Sequence, residues 1–215
     1  MIISDQKPFE EIAHSLKASD SIFVVGCGDC ATSCATGGEK EVAQLAEKLA
    51  ASGKTITGTA VIATGCDERL VKRDLKKSSL TPEDAVLVLA CGSGVQAVNS
   101  VIDNYVVPGL NSLFLGKIKN LSTFDKVCSM CGECVLAKTG NICPVTRCPK
   151  HLLNGPCGGS SEGKCEVNRN NDCAWFLIYE RLKKLDKLSF LNSYQPPKDN
   201  SKNNIRTRFN TERKS

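Results

Sequence analysis

No run of about 18 apolar residues occurs in the sequence, which excludes a long hydrophobic transmembrane helix. The first residues, MIISDQKPFEEIAHSLKAS, lack the basic and apolar regions of a secretory signal. A cytoplasmic location is therefore the expectation, with no membrane partner. Neither a P-loop nor an HExxH pattern is present. No set of residues for general acid–base or nucleophilic catalysis stands out, and the acidic residues fall mostly on helix faces, where they solvate the surface. Histidine is scarce, with two in the chain. His14 falls on a predicted helix and reads as a surface residue. His151 lies close to Cys148 in sequence, which makes it a minor candidate ligand beside the cysteines. Aromatic residues make up only 5%, and no stacking platform accompanies the basic end of the chain, which argues against nucleic acid as a partner. The net charge of +5 is itself local: residues 191–215 carry six Lys/Arg and two Asp/Glu, leaving the rest near balance. That tail is rich in Asn, Ser and Lys and has too little apolar surface to fold alone. It reads as a polar extension, disordered or wrapped on a partner.

Cysteine is what the sequence has in excess, with thirteen in 215 residues. A disulfide framework is disfavoured in a reducing compartment, and the odd count fits it poorly. Buried structural thiols account for two or three, but not for eight between Cys128 and Cys173. Metal binding uses the most cysteines with the fewest assumptions.

Residues 1–120 alternate helix and strand patterns. PFEEIAHSLK carries a helix-start proline and acidic first turn. SIFVVG (21–26), residues 55–63 and AVLVLA (85–90) read as strands. Residues 38–51, 67–77 and 94–103 read as helices, and 112–115 as a last short strand. Such alternation implies an α/β domain with a doubly wound, mostly parallel sheet and helices on both faces. Residues 121–190 are expected to form a cysteine-rich, loop-dominated metal-binding domain closed by an amphipathic helix at 174–188. Little apolar material supports that domain, and metal ligation at a structural site can supply about 10 kcal/mol of folding free energy.

Three of the amino-terminal cysteines share a kind of position. Cys27, Cys66 and Cys91 each follow a predicted strand, at the sheet edge where α/β proteins bind ligands. Either Cys30 or Cys34, in CGDCATSC, completes a four-thiolate set. Gly26, Gly65 and Gly92 beside them would let the backbone approach a cluster closely. The alternative is that all are small residues in tight strand-to-helix turns. GCGDCA also fits the dinucleotide pattern G-x-G-x-x-A, but two cysteines stand where a pyrophosphate would lie, and no acidic residue closes the second strand.

The carboxyl-terminal pattern is denser. Cys128, Cys131 and Cys134 form C-x2-C-x2-C, and Cys143 and Cys148 each precede proline. Cys157, Cys165 and Cys173 complete a set of eight. The run partly matches the bacterial ferredoxin motif, whose fourth cysteine comes sooner and precedes proline. Eight thiolates suffice for two four-thiolate sites, and spacing does not say which four belong together. Zinc uses the same ligands at similar spacings.

The stretch CSMCGECVLAKTGNICPVTRCPKHLLNGPCGG, followed by GKCEV and CAWFLIYERLK, resembles the carboxyl-terminal domain found with methylenetetrahydrofolate reductases. It is most similar to the small iron–sulfur subunit of the two-subunit enzyme of acetogenic and other anaerobic bacteria. The resemblance implies a non-catalytic chain that passes electrons through two or three [4Fe–4S] clusters, with zinc as the candidate at one site. It implies a partner too: the flavin-containing catalytic subunit, a barrel that would carry FMN and folate and for which 215 residues leave no room. A further electron-donor subunit is compatible with it. The helix 174–188 and the tail are the expected docking surfaces. Two alternatives stand beside this reading: a structural zinc-binding accessory subunit without a redox role, and a methyl-transfer partner with a reactive thiolate.

Overall fold

The computed structural model describes residues 1–201. The chain divides into two units, Met1–Phe124 and one beginning at Asp125.

The first unit is built on the apolar runs that the sequence sets between glycines. Strands β2 (Ser21–Cys27), β3 (Thr55–Ile62), β4 (Ala85–Leu89) and β5 (Val106–Pro108) form a four-stranded sheet in the order β3-β2-β4-β5, and every pairing is parallel. Between them lie the helices α2 (Cys30–Ser33), α3 (Glu39–Ala51), α4 (Glu68–Leu75) and α5 (Gly92–Asn99), with α1 (Phe9–Ser15) ahead of β2. From β2 the chain steps to one side to form β3, then crosses back to form β4. Right-handed crossovers put α3 on one face and α4 with α5 on the other, and α4 and α5 do touch. The sheet is thus doubly wound. Its order reverses between β2 and β4, the two most deeply buried strands: Ile22, Phe23, Val24, Val86, Leu87, Val88 and Leu89 are fully enclosed. Each such side chain contributes about 1.5–3 kcal/mol of burial, and the unbroken apolar run of β4 suits a strand covered on both faces.

Pro8 stands one residue before α1, as its N-cap. Helix α4 starts on Asp67, whose side chain accepts from the Arg69 amide at 3.0 Å. Helix α3 starts where the Glu41 carboxylate accepts from the Gly38 amide at 2.9 Å, a capping arrangement that holds the loop 34–38 against the sheet.

A second sheet departs from the expectation of a mostly parallel domain. β1 (Ile2–Gln6) pairs antiparallel with β6 (Leu110–Asn120), and β7 (Thr123–Cys128) follows in the order β1-β6-β7. The expected short strand at 112–115 is the middle of this longer β6. The first unit is therefore mixed α/β, with one parallel and one antiparallel sheet.

The second unit is mostly loop. It contains α6 (Pro144–Arg147), α7 (Ala174–Lys184) and short 3-10 turns at Leu136–Lys138 and Leu188–Asn192. Its small core gathers around α7: Trp175, Ile178 and Leu182 are buried, with Ile142, Leu152 and Leu188 against them. The helix ends on Arg181, Lys183 and Lys184, cations that suit the negative end of its dipole. Residues 191–201, the described part of the basic tail, are hydrogen-bonded to this unit: Gln195 exchanges two backbone bonds with the Asn154 side chain, at 2.7 and 2.9 Å. The rest of the expected polar tail lies outside the described residues. Among the described residues no helix is long and apolar enough to cross a membrane.

Candidate functional site

The parallel sheet delivers three cysteines to one edge. Cys27 is the last residue of β2, Cys66 lies four residues past β3, and Cys91 stands between β4 and α5 as the helix N-cap. These are the carboxyl ends of adjacent strands at the reversal of strand order, where open α/β sheets form their crevice. Cys27 is buried, and its sulfur accepts a hydrogen bond from the Gly65 amide at 3.3 Å. The loop carrying Gly65 and Cys66 is pressed onto Cys27: a Cβ at Gly65 would stand 3.4 Å from that sulfur. Gly94 completes the packing, since a Cβ there would lie 2.7 Å from the Ala90 Cβ. The other glycines serve differently. Gly26 packs on the Gly37 carbonyl, and the Gly92 amide bonds the Ser112 hydroxyl at 2.9 Å.

The thiols act on each other electrostatically. Burial pushes the Cys66 thiol up, and the neighbouring sulfurs of Cys91, Cys27 and Cys30 add to the rise. Burial also raises the Cys30 thiol, a backbone hydrogen bond from Ile2 opposes it, and Asp29 and Cys91 raise it further. Cys34 is placed differently, with its sulfur 3.9 Å from the Ile2 carbonyl oxygen. Ile2 belongs to β1, the strand that sequence reasoning missed. Ile2 and Ile3 were visible, but only pairing with a segment more than 100 residues away makes them a strand.

In the dinucleotide-like loop, GCGDCA opens a helix of only four residues. Asp67, past the second strand, caps α4 and is paired with Arg69, whose guanidinium holds its carboxyl down at about 2.

The eight remaining cysteines lie in the second unit. The C-x2-C-x2-C turn curls through two left-handed residues, Met130 at φ +52° and Gly132 at φ +74°. Within it the Met130 amide donates to the Cys128 sulfur at 3.3 Å, and the Cys131 thiol donates to the Glu133 carbonyl at 3.5 Å. Ser129 and Thr146 share a hydrogen bond at 2.9 Å, and the Cys143 thiol reaches the same Thr146 hydroxyl at 3.5 Å. The Cys128 turn is thereby tied to the start of α6. Cys148, Cys157, Cys165 and Cys173 instead line one small cavity together with Trp175. Hydrogen bonds from the Asn168 and Val167 amides hold the Cys165 thiol below its ordinary pKa, against a small opposing effect of burial, and Lys150 and Arg169 add to the lowering. His151 is turned to the Val145 carbonyl, 2.5 Å from its Nδ1. As they stand, no three His, Cys, Asp or Glu side chains among the described residues form a ready-made metal-binding group.

A larger cavity of about 350 Å3 adjoins the same helix. Trp175, Phe176, Tyr179 and Phe190 line it, and it shares Trp175, Pro156 and Ser160 with the four-cysteine cavity. Four of the chain's eleven aromatic residues thus meet here, which composition alone did not reveal.

Residues 107–201 match the family described as "Methylene-tetrahydrofolate reductase C terminal". The match encloses all eight cysteines from Cys128 to Cys173 and none of the five at the sheet edge. It also encloses the aromatic cavity and the described part of the tail. Neither the curated proteins nor the solved structures contain a match to the chain.

Proposed function

We propose that this chain is the electron-transfer and scaffold subunit of a methylenetetrahydrofolate reductase complex. It would serve a separate flavin-containing catalytic subunit in one-carbon metabolism. The observation that carries the reading is the convergence of Cys27, Cys66 and Cys91 at the reversal of strand order, in a chain whose second half matches the reductase-associated family.

Thiolate donors fit an iron–sulfur cluster chemically. Cys27, Cys66, Cys91 and Cys30 would hold one, with Cys30 favoured over Cys34 because its sulfur shares the electrostatic neighbourhood of Cys91 and Cys66. The carboxyl-terminal cysteines would supply the remaining sites. A bound cluster supplies one-electron transfer. The chain's own part is to orient the sulfurs and to shield the innermost of them, Cys27. Burial of Cys27 excludes water, the Gly65 amide offsets negative charge on its sulfur, and close packing at Gly65 and Gly94 fixes the loops. On this reading folate and FMN stay with the catalytic partner, and the half-exposed aromatic side of α7 (Phe176, Tyr179) with the Phe190 turn is the surface that docks it.

Iron and acid-labile sulfide, measured anaerobically on the purified chain, test the proposal. At least one cubane's worth of each is expected. Less than that, with zinc in its place, overturns the redox role and leaves a structural accessory subunit.

A further inference from the structure

Thiols crowd the second unit, yet among the described residues none lines the cavity of about 350 Å3 beside α7. That volume falls within the range of about 300–1,000 Å3 typical of small-molecule sites. Aromatic side chains dominate its walls. Phe176 and Tyr179 are three residues apart on α7 and so share one side of the helix. Together with Phe190 they remain 46, 43 and 41% exposed, in the order 176, 179, 190, apolar surface that a bound ring would cover. Trp175 is buried and donates its indole N–H to the Leu152 carbonyl at 3.1 Å, so it offers the cavity a ring with no unpaired donor.

The chain holds these walls in place by itself. Lys138 Nζ donates to Gln195 Oε1 at 3.2 Å, and the two bonds between Gln195 and Asn154 fasten the same segment. The Ser193 hydroxyl donates to the Phe190 carbonyl at 3.1 Å, which ties the Phe190 turn to that segment.

Charge decides which rings fit. Lys138 lines the cavity, and among the described residues no Asp, Glu or other charged residue does. No carboxylate among the described residues pairs with its ammonium, which has three donors and spends one on Gln195. The Ser160 hydroxyl, also in the lining, has no hydrogen-bond partner among the described residues. Aromatic faces alone would also suit an alkylammonium ligand, but a cation with no balancing carboxylate repels one. A flat aromatic ring matches the walls through offset or edge contacts, and a carboxylate on that ring matches Lys138 through a charge-assisted bond.

We propose that this cavity binds a planar aromatic carboxylate, with its ring among Trp175, Phe176, Tyr179 and Phe190 and its carboxylate on Lys138. Binding is non-covalent. The site needs neither metal nor electron transfer, and it goes beyond the docking role of the same face: a catalytic partner seated there would cover the bound ring.

The test is isothermal titration calorimetry on the full chain, purified anaerobically. The probes are 2-naphthoate and 2-naphthylmethylammonium, a cation of similar shape. One saturable site is expected on the wild-type chain, with the carboxylate bound at least about tenfold more tightly than the cation, the worth of one charge-assisted hydrogen bond. That comparison needs no variant to fold. K138Q should abolish the preference for the carboxylate, and Y179A should weaken both probes, with far-UV circular dichroism unchanged in each. Equal or tighter binding of the cation overturns the proposal, as does carboxylate binding that K138Q and Y179A both leave untouched. Absence of saturable 2-naphthoate binding overturns it as well, and Y179A lowering the affinity of the catalytic partner would then assign the face to docking alone. A chain without iron that still prefers the carboxylate through Lys138 supports the proposal and sinks the electron-transfer reading instead.

Discussion

The backbone amide of Gly65 donates a hydrogen bond to the sulfur of Cys27 at 3.3 Å. The loop past β3 thereby closes on the last residue of β2, and Cys66, one residue on, is carried to the same sheet edge. The sulfur is buried, and the bond satisfies it there.

Closure depends on there being no side chain at Gly94. A Cβ there would sit 2.7 Å from the Ala90 Cβ and 3.5 Å from the Gly65 backbone. Gly94→Ala is expected to cost about 1–3 kcal/mol, the usual range for overpacking, read as a lower denaturation midpoint. Gly53→Ala, a surface turn with open space but φ +90°, should cost about 1 kcal/mol from backbone strain alone and leave metal content unchanged.

Cys30 and Cys34 are one helical turn apart, yet Cys30 shares the neighbourhood of Cys91 and Cys66, while the Cys34 sulfur lies 3.9 Å from the Ile2 carbonyl oxygen. Cys30→Ser should remove about one cluster's worth of iron from the chain. Cys34→Ser should retain it. Equal loss in both variants, by iron assay, would show the assignment to be wrong.

Asp84 precedes β4 and is buried. Burial works to raise its pKa, but hydrogen bonds outweigh it. They are led by the Thr81 amide at 2.8 Å, with the Thr81 hydroxyl at 3.0 Å, and the carboxyl sits below its ordinary value. A depressed folded-state pKa stabilises the protein above the unfolded value, about 3.9. That stability is lost as pH falls from there through the folded value. Asp84→Ala should cost about 1–3 kcal/mol at neutral pH. Its deficit relative to wild type should shrink below about pH 4, as both proteins lose the ionised hydrogen bonds. A deficit that stays constant down to the acid limit would count against this role.

The tail has two parts with different consequences. Lys198 donates to the Glu133 carbonyl, and the Asp199 amide donates to the Glu133 carboxylate at 3.3 Å, beside Cys134. Truncation after Ser201 is expected to leave the metal content intact and to weaken binding of the catalytic partner. Truncation from Leu191 removes those bonds and one wall of the aromatic cavity as well, and should lower occupancy of the Cys128–Cys143 site. Metal analysis of the two truncated chains separates the effects.

A methyl-transfer role predicts one accessible, reactive thiolate. Anaerobic alkylation of the native protein, mapped by mass spectrometry, is expected to find the ligand cysteines protected. Rapid stoichiometric labelling of Cys165, whose thiol is the one shifted downward among those with a resolved shift, would favour methyl transfer over ligation.

Much of the first unit is legible in the sequence. SIFVVG, TITGTAVI and AVLVL lie where β2, β3 and β4 form: β2 and β4 are buried strands that need a local apolar run between turns, and the half-buried β3 is rich in β-branched residues. The strand IISDQ was not legible. Only two of its five residues are buried, and its partner β6 is more than 100 residues away. The resemblance read from Cys128 to Lys184 falls inside the matched segment 107–201. The aromatic cavity escaped notice because its walls come from separate segments: the Val135 turn, the Asn154 loop, α7 and the Phe190 turn.

The sequence by itself determined which groups this protein offers: thirteen thiols, scarce histidine, and strands closely followed by cysteine. Composition and short-range pattern suffice for that, since ligand type and strand formation are local properties. Only the tertiary structure decided the grouping. Cys148 and Cys173 share a cavity across 25 positions of chain, while Cys143, five residues from Cys148, faces Thr146 and the other turn. Such grouping is made by distance in space, and in a unit of loops that distance is set by α7, the Lys164–Asp172 bridge and the Glu166 contacts rather than by spacing along the chain.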